Sequence, residues 1–236
     1  MSSYALAFAA GLVPALLWLL FWMREDRKHP EPLRLLILTF LLGMFSVLIA
    51  LKLESIVFTN VNGDLARLIW WAAIEEVVKF GAAYWIILRR KEVDEPIDDV
   101  IYMITVALGF AALENIFFLL NPASKGLAIK TIFTGDLRFI GATLLHVVAS
   151  ASVGVAMALA FYKNRVHKHI YALVGLILAI ILHSSFNVAI MVSDGHHSLL
   201  ASSVVWIAII CILLLFEKVK KVHPVSGRPV PIASKK

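Results

Sequence analysis

Seven long apolar runs separated by short polar connections dominate the chain: Ser3 to Met23, Leu33 to Leu51, Leu65 to Leu88, Val100 to Leu120, Phe139 to Tyr162, Ile170 to Val192 and Leu199 to Phe216. A helix needs about 20 mostly apolar residues to cross roughly 30 Å of hydrocarbon, and each run is near that length. Backbone N–H and C=O groups in lipid must be paired within the segment or in a closed barrel. These runs are too long and too continuously apolar for barrel strands. The pattern therefore predicts an all-α polytopic membrane protein of about seven transmembrane helices. Its membrane domain covers 1–216, and a basic tail covers 217–236. The longest connection, Asn121 to Leu137, is predicted to hold a short interfacial helix.

Composition agrees with this reading: 61% of residues are apolar and 16% charged, against about half and about a quarter in soluble domains. Cys211 is the one cysteine, which excludes an internal disulfide and a four-cysteine metal site. The net charge of +6 is placed as in a membrane protein, not as in a nucleic-acid binder. Sixteen lysines and arginines fall on one side of the predicted spans and five on the other, with Lys79 inside a span. The basic side is expected to face the cytoplasm, which puts the N-terminus outside and the tail inside the cell. The first run has no basic residue before it and is followed by Arg24, Arg27 and Lys28, so it reads as an uncleaved span and not as a signal peptide. The tail lysines read as a topology signal attracted to anionic lipid, and Arg138 as an interfacial anchor. His196 and His197 read as solvated residues of an outer loop.

Against this apolar background, four spans carry groups that hydrocarbon disfavours. Span three holds Glu75, Glu76 and Lys79, span four holds Glu114 and Asn115, span five holds His146, and span six holds His183 and Asn187. A charge at mid-membrane costs about 2.5 to 3.5 kcal/mol on insertion scales, so such groups are expected to serve a function. At a rise of about 1.5 Å per residue, Glu75 and Glu76 lie within a few ångströms of their span's midpoint. Glu114 and His146 fall roughly 6 Å to the outer side of theirs, His183 about 3 Å and Asn187 about 9 Å. All occupy one slab, as a single site over helices 65–192 requires.

The spacing assigns candidate roles. Glu75 and Lys79 share a helix face, so Lys79 can partly neutralise the acids as a supporting residue. His183 and Asn187 share another. Glu75 and Glu76 are adjacent, about 100° apart around the axis, so one can face a cavity while the other braces a neighbour. Carboxylates and imidazoles in a wet intramembrane pocket can activate water, with His183 and Asn187 donating to an oxyanion. Two mechanisms stay open. One needs no cofactor. The other uses Zn²⁺, with ligands drawn from Glu76, Glu114, His146 and His183, although no His-Glu-x-x-His sequence is present. Two non-protease alternatives are a proton- or ion-coupled transporter, since buried Glu and His also form proton relays, and a non-catalytic scaffold.

Glu-Glu-Val-Val-Lys at 75–79, Phe110 to Glu114, His146, and His183 to Asn187 together resemble the four motifs of the PrsW intramembrane proteases. More distantly they resemble the glutamate-dependent endopeptidases that trim prenylated CAAX proteins. Those relatives have arginine after the paired glutamates and histidine where Glu114 stands, so the PrsW pattern is the nearer one. The resemblance implies a multi-pass cell-membrane hydrolase with Glu75, Glu76, Glu114, His146, His183 and Asn187 catalytic. Its expected substrate is a single-span anti-sigma factor, cut near the extracytoplasmic side in a stress response.

Overall fold

The computed structural model describes residues 3–25, 30–127, 139–192 and 198–223. Most of the Asn121 to Leu137 connection, Arg138, His196, His197 and the tail from residue 224 onward lie outside the described residues. Seven α-helices are present among the described residues: α1 (Ser3–Glu25), α2 (Leu33–Asn60), α3 (Asp64–Ile86), α4 (Pro96–Ser124), α5 (Leu144–Leu159), α6 (Arg165–Val192) and α7 (Ser198–Val219). A π-helical turn, Phe139–Thr143, leads into α5. No strand occurs among the described residues.

Among the described residues, five spans are long and apolar enough to cross a membrane: α1, α2, α4, α6, and α5 together with the end of the π-helical turn (Gly141–Leu159). In α3 the charges of Glu75, Glu76 and Lys79 interrupt the apolar run. Outward-facing Phe45, Trp85, Val166, Ile207 and Leu214 are exposed. Apolar side chains on that scale at the periphery suit contact with lipid and not with water.

The helices are arranged around α4. It packs against α1, α2 and α5, and α5 packs in turn against α6 and α7. α3 is held by α2 and α6. In their most apolar stretches α4 and α5 are 72% buried, against 22% for α1 and α6, which separates central from peripheral helices.

Close approach of α2 to α4 depends on two glycines. A Cβ added at Gly43 would stand 2.0 Å from the Val106 carbonyl oxygen, and one at Gly109 would stand 2.0 Å from that of Phe40. With no cohesive gain from burying apolar surface inside lipid, close packing through small residues that let backbones touch is one of the forces that hold helices together. The crossing also sets the position of Phe110, which lines the polar site described below.

Apart from shifts of up to five residues at the other ends, such as the start of α6 at Arg165 before the expected Ile170, the helices differ from the sequence expectation in two places. α2 runs nine residues past Leu51, to Asn60. Lys52, Glu54 and Ser55 end the apolar run, but none of them breaks a helix. The stop comes at Val61, which is extended at φ −107° and ψ 127°, and Gly63, whose φ of 89° suits a residue without Cβ, then caps the start of α3. The second difference is the π-helical turn, which replaces the α-helix expected from Phe139.

α4 opens with Pro96 at its first turn and a capping box. The Glu95 side chain accepts from the backbone of Asp98, and Asp98 Oδ2 accepts from Glu95 N at 2.8 Å. The same oxygen accepts from Asp94 N at 2.8 Å. Glu31, in the segment before α2, joins this end: Tyr102 Oη donates to its carboxylate, and its carboxyl is in hydrogen-bond contact with that of Asp98. Two carboxyls in such contact need a proton between them. Burial pushes the Glu31 carboxyl up from its ordinary value, with the charges of Asp94 and Glu95 acting the same way against the lowering effect of its Asp98 and Tyr102 bonds.

Two outcomes follow for purified protein in detergent. Gly43→Ala should lower the thermal unfolding midpoint, at a cost of about 1–3 kcal/mol from overpacking. Gly81→Ala, where nothing lies within 4 Å of the added Cβ, should be neutral or mildly stabilising through helix propensity. For Glu31, a raised folded-state pKa means that its contribution is full below the unfolded value near 4.5 and is lost as pH rises through the folded value. Glu31→Gln should therefore gain thermal stability relative to wild type as pH increases and lose that advantage below about pH 4.5. An offset that does not vary with pH would contradict the shared-proton reading.

Candidate active site

The site is assembled at the level where α3, α4, α5 and α6 approach one another. Each helix delivers its polar side chains from an otherwise apolar face. Glu76, Lys79, His146 and His183 are all at most 3% exposed, and Glu75 is 8% exposed. Isolated charges at such depth would be prohibitive, so the bonding of each group has to be accounted for.

Glu76 is the hub. Its Oε1 accepts from Lys79 Nζ at 2.6 Å and from His183 Nδ1 at 2.8 Å, and its Oε2 accepts from Ser150 Oγ at 3.2 Å. One carboxylate thus ties α3 to itself, to α5 and to α6. Lys79 also donates to His146 Nδ1 at 3.0 Å and lies 4.9 Å from the centre of the Phe110 ring.

The imidazole states follow from donor and acceptor inventory. An ammonium can only donate, so His146 Nδ1 accepts from Lys79, and its Nε2–H donates to Glu114 Oε2 at 3.0 Å. Because Glu76 can only accept, His183 Nδ1 carries a proton, and in the neutral ring its Nε2 keeps the lone pair. The rings meet edge to face, with centroids 5.1 Å apart.

Glu75 stands opposite these two lone pairs. Its Oε2 lies 3.7 Å from His146 Nδ1 and 3.8 Å from His183 Nε2. This oxygen is buried and accepts no hydrogen bond. Three acceptors therefore face a common point, and one ligand atom from each of Glu75, His146 and His183 lies within 4.8 Å of the others. Each imidazole has its remote nitrogen on a carboxylate, the arrangement that orients histidines toward a metal. The donor set of two nitrogens and a carboxylate oxygen, with its orphaned acceptor, fits a divalent ion such as zinc.

The fold brings together Glu75, Glu76, Lys79, Glu114, His146 and His183. Within the ligand set anticipated from sequence, His146 and His183 face the common point, while Glu76 and Glu114 stand behind them as their hydrogen-bond acceptors. Glu75 takes the place facing the point. Asn187 is half-buried, one turn beyond His183 on the same helix, and is not hydrogen-bonded to any member of the cluster. Asn115 turns away as a brace, its Nδ2 donating to Thr143 Oγ1 at 2.8 Å in the π-helical turn.

Two neighbours escaped sequence reasoning. Ser150 follows His146 by four residues and so shares its face; that spacing was the available signal. Glu54, half-buried near the end of α2, lies within electrostatic reach of Glu75 and Glu114. It was hidden because the apolar run ends before it, although no helix breaker intervenes until Gly63.

Residues 31–215 match the model of the PrsW family, described as an intramembrane metalloprotease. Among individual relatives, "Protease PrsW" of Clostridioides difficile is 29% identical over 193 residues, covering 78% of this chain and 79% of that protein. Its namesake from Geobacillus kaustophilus is 33% identical over 115 residues, 48% of this chain and 51% of that protein. That of Shouchella clausii is 25% identical over 216 residues, 90% and 94% respectively. No solved structure matches. A membrane-embedded Glu/His cluster and a family match over most of the chain lead to one assignment: the chain belongs to the PrsW family of intramembrane proteases.

Proposed function

We propose that this protease hydrolyses a peptide bond of a single-span membrane protein near the extracytoplasmic side, in the manner of site-1 cleavage of an anti-sigma factor. The N-terminus is then outside and the basic tail in the cytoplasm, as the distribution of lysine and arginine supports. The observation that carries the chemistry is the convergence of Glu75 Oε2, His146 Nδ1 and His183 Nε2 on one point. A divalent ion there would be held by these three residues and would polarise the scissile carbonyl and acidify a bound water.

The chain's own groups divide the remaining work. Without an ion, Glu75, the carboxylate with an unbonded oxygen, receives the proton of the attacking water and returns it to the departing amine; with an ion bound, that oxygen serves as a ligand instead. Glu76 and Glu114 fix the orientation of His183 and His146. Asn187, uncommitted and on the His183 side of α6, donates to the oxyanion that forms on the attacked carbonyl. The buried Lys79 ammonium offsets the negative charge that accumulates as the carbonyl is attacked.

Co-expression with candidate single-span membrane proteins tests this reading. A fragment produced by wild type should vanish with Glu75→Gln, whose turnover should fall about 10²–10⁴-fold. Asn187→Ala should lose about 10²–10³-fold in kcat. Undiminished cleavage by Glu75→Gln would refute the assignment.

Glu75 and Glu76 should also separate in stability. Glu76→Gln leaves the Lys79 ammonium buried without its counter-charge, and the loss should approach about 3–5 kcal/mol. Glu75→Gln removes no hydrogen bond, and its unfolding midpoint in detergent should stay near that of wild type.

A further inference from the structure

Lys79 occupies a position that a counter-ion for the glutamates does not require. Its ammonium already has Glu76 Oε1 at 2.6 Å, yet it also takes the lone pair of His146 Nδ1 at 3.0 Å. Nδ1 is the nitrogen that faces Glu75 Oε2, because Nε2 is committed to Glu114. The lone pair needed to ligate an ion is therefore the one Lys79 covers. His183 Nε2 faces Glu75 without such a cover. Lys79 is fully buried and confined beneath the Phe110 ring, so it is not free to swing into solvent.

We infer that Lys79 is an internal competitor for the metal: its ammonium holds the place of the ion at His146, and a divalent ion must displace it to bind. The exchange needs no change of protonation. Lys79 gives up the His146 contact and keeps Glu76, while His146 Nδ1 turns its lone pair to the ion and retains its Nε2–H bond to Glu114. Lys79 makes the ion-free cluster tolerable and weakens the hold on the ion. This inference rests on the Glu75, His146 and His183 ligand reading given above.

The test is zinc binding to full-length protein in detergent, stripped of metal and titrated with Zn²⁺ in competition with a chromophoric chelator. Lys79→Met removes the competing charge at similar length, and zinc affinity should rise at least tenfold over wild type. Lys79→Gln serves the same purpose if the methionine variant does not fold. Lys79→Arg keeps the charge and should bind no more tightly than wild type, while Glu75→Gln should lose binding. Zinc binding by the neutral variants alone, with none by wild type, would also support the inference, because the ammonium would then exclude the ion outright. Wild-type binding with unchanged or weaker affinity in the neutral variants would overturn it and leave the ligand reading intact. Equal tightening by Lys79→Arg would overturn it as well, since packing and not charge would be responsible. Failure of every form to bind zinc would reject the ligand reading and the inference together.

Discussion

The structure depends on how a charge is kept at the middle of a membrane. The Glu76 carboxylate is almost fully buried and is tolerable only because three donors reach it: Lys79 from its own helix, Ser150 from α5 and His183 from α6. Separating these helices would leave the Glu76–Lys79 pair of α3 without its Ser150 and His183 partners, and a buried ion pair whose remaining lone pairs go unsatisfied is costly. In lipid, where apolar surface gives little net drive to association, this requirement does much of what a hydrophobic core does in water. The cluster is thus a fastener between helices as well as a chemical site, and its parts cannot be exchanged independently.

The apolar framework sets the other half of the geometry. α4 can sit at the centre because Gly43 and Gly109 allow its backbone to touch that of α2. This contact places Phe110 over Lys79 and against the His146 ring, centroid to centroid 5.3 Å. Farther along α4, Glu114 reaches His146, and Asn115, the next residue, secures the π-helical turn that leads into α5. Neighbouring residues therefore fix both the imidazole and the helix that carries it. π-Helical turns interrupt the regular hydrogen-bond ladder and are often found at functional sites, and this one lies three residues before His146.

Much of the fold was legible because the bilayer constrains it so strongly: runs of a fixed length must be helices, and charges within them must converge. Glu75, Glu76, Glu114, His146 and His183 could be picked out because each violates its local background. Ser150 could not, since a serine in an apolar helix is cheap and raises no alarm. Glu54 was lost for the opposite reason, lying where polar residues are expected. Sequence spacing also could not decide which glutamate of the pair faces the histidines' lone pairs. That depends on the rotation of α3 about its axis, which is set by contacts with α2 and α6 and not by anything local.

The adjacency of Glu75 and Glu76 is what divides structure from chemistry. Consecutive residues point about 100° apart on a helix, so one carboxylate can be enclosed by protein donors while the other looks into the space they leave. Glu76 has both oxygens bonded, and it would gain nothing from a water or an ion. Glu75 keeps Oε2 buried and unbonded, with His146 Nδ1 at 3.7 Å and His183 Nε2 at 3.8 Å, both beyond hydrogen-bond distance. Native structures rarely leave a buried polar atom in that condition without a use for it. The lone pairs of Glu75 Oε2 and His183 Nε2 face one another uncovered, while that of His146 Nδ1 is held by Lys79. A fold that holds them there, using the bonds of Glu76 and Glu114 to do so, is built to receive a water, an ion, or a water carried on an ion.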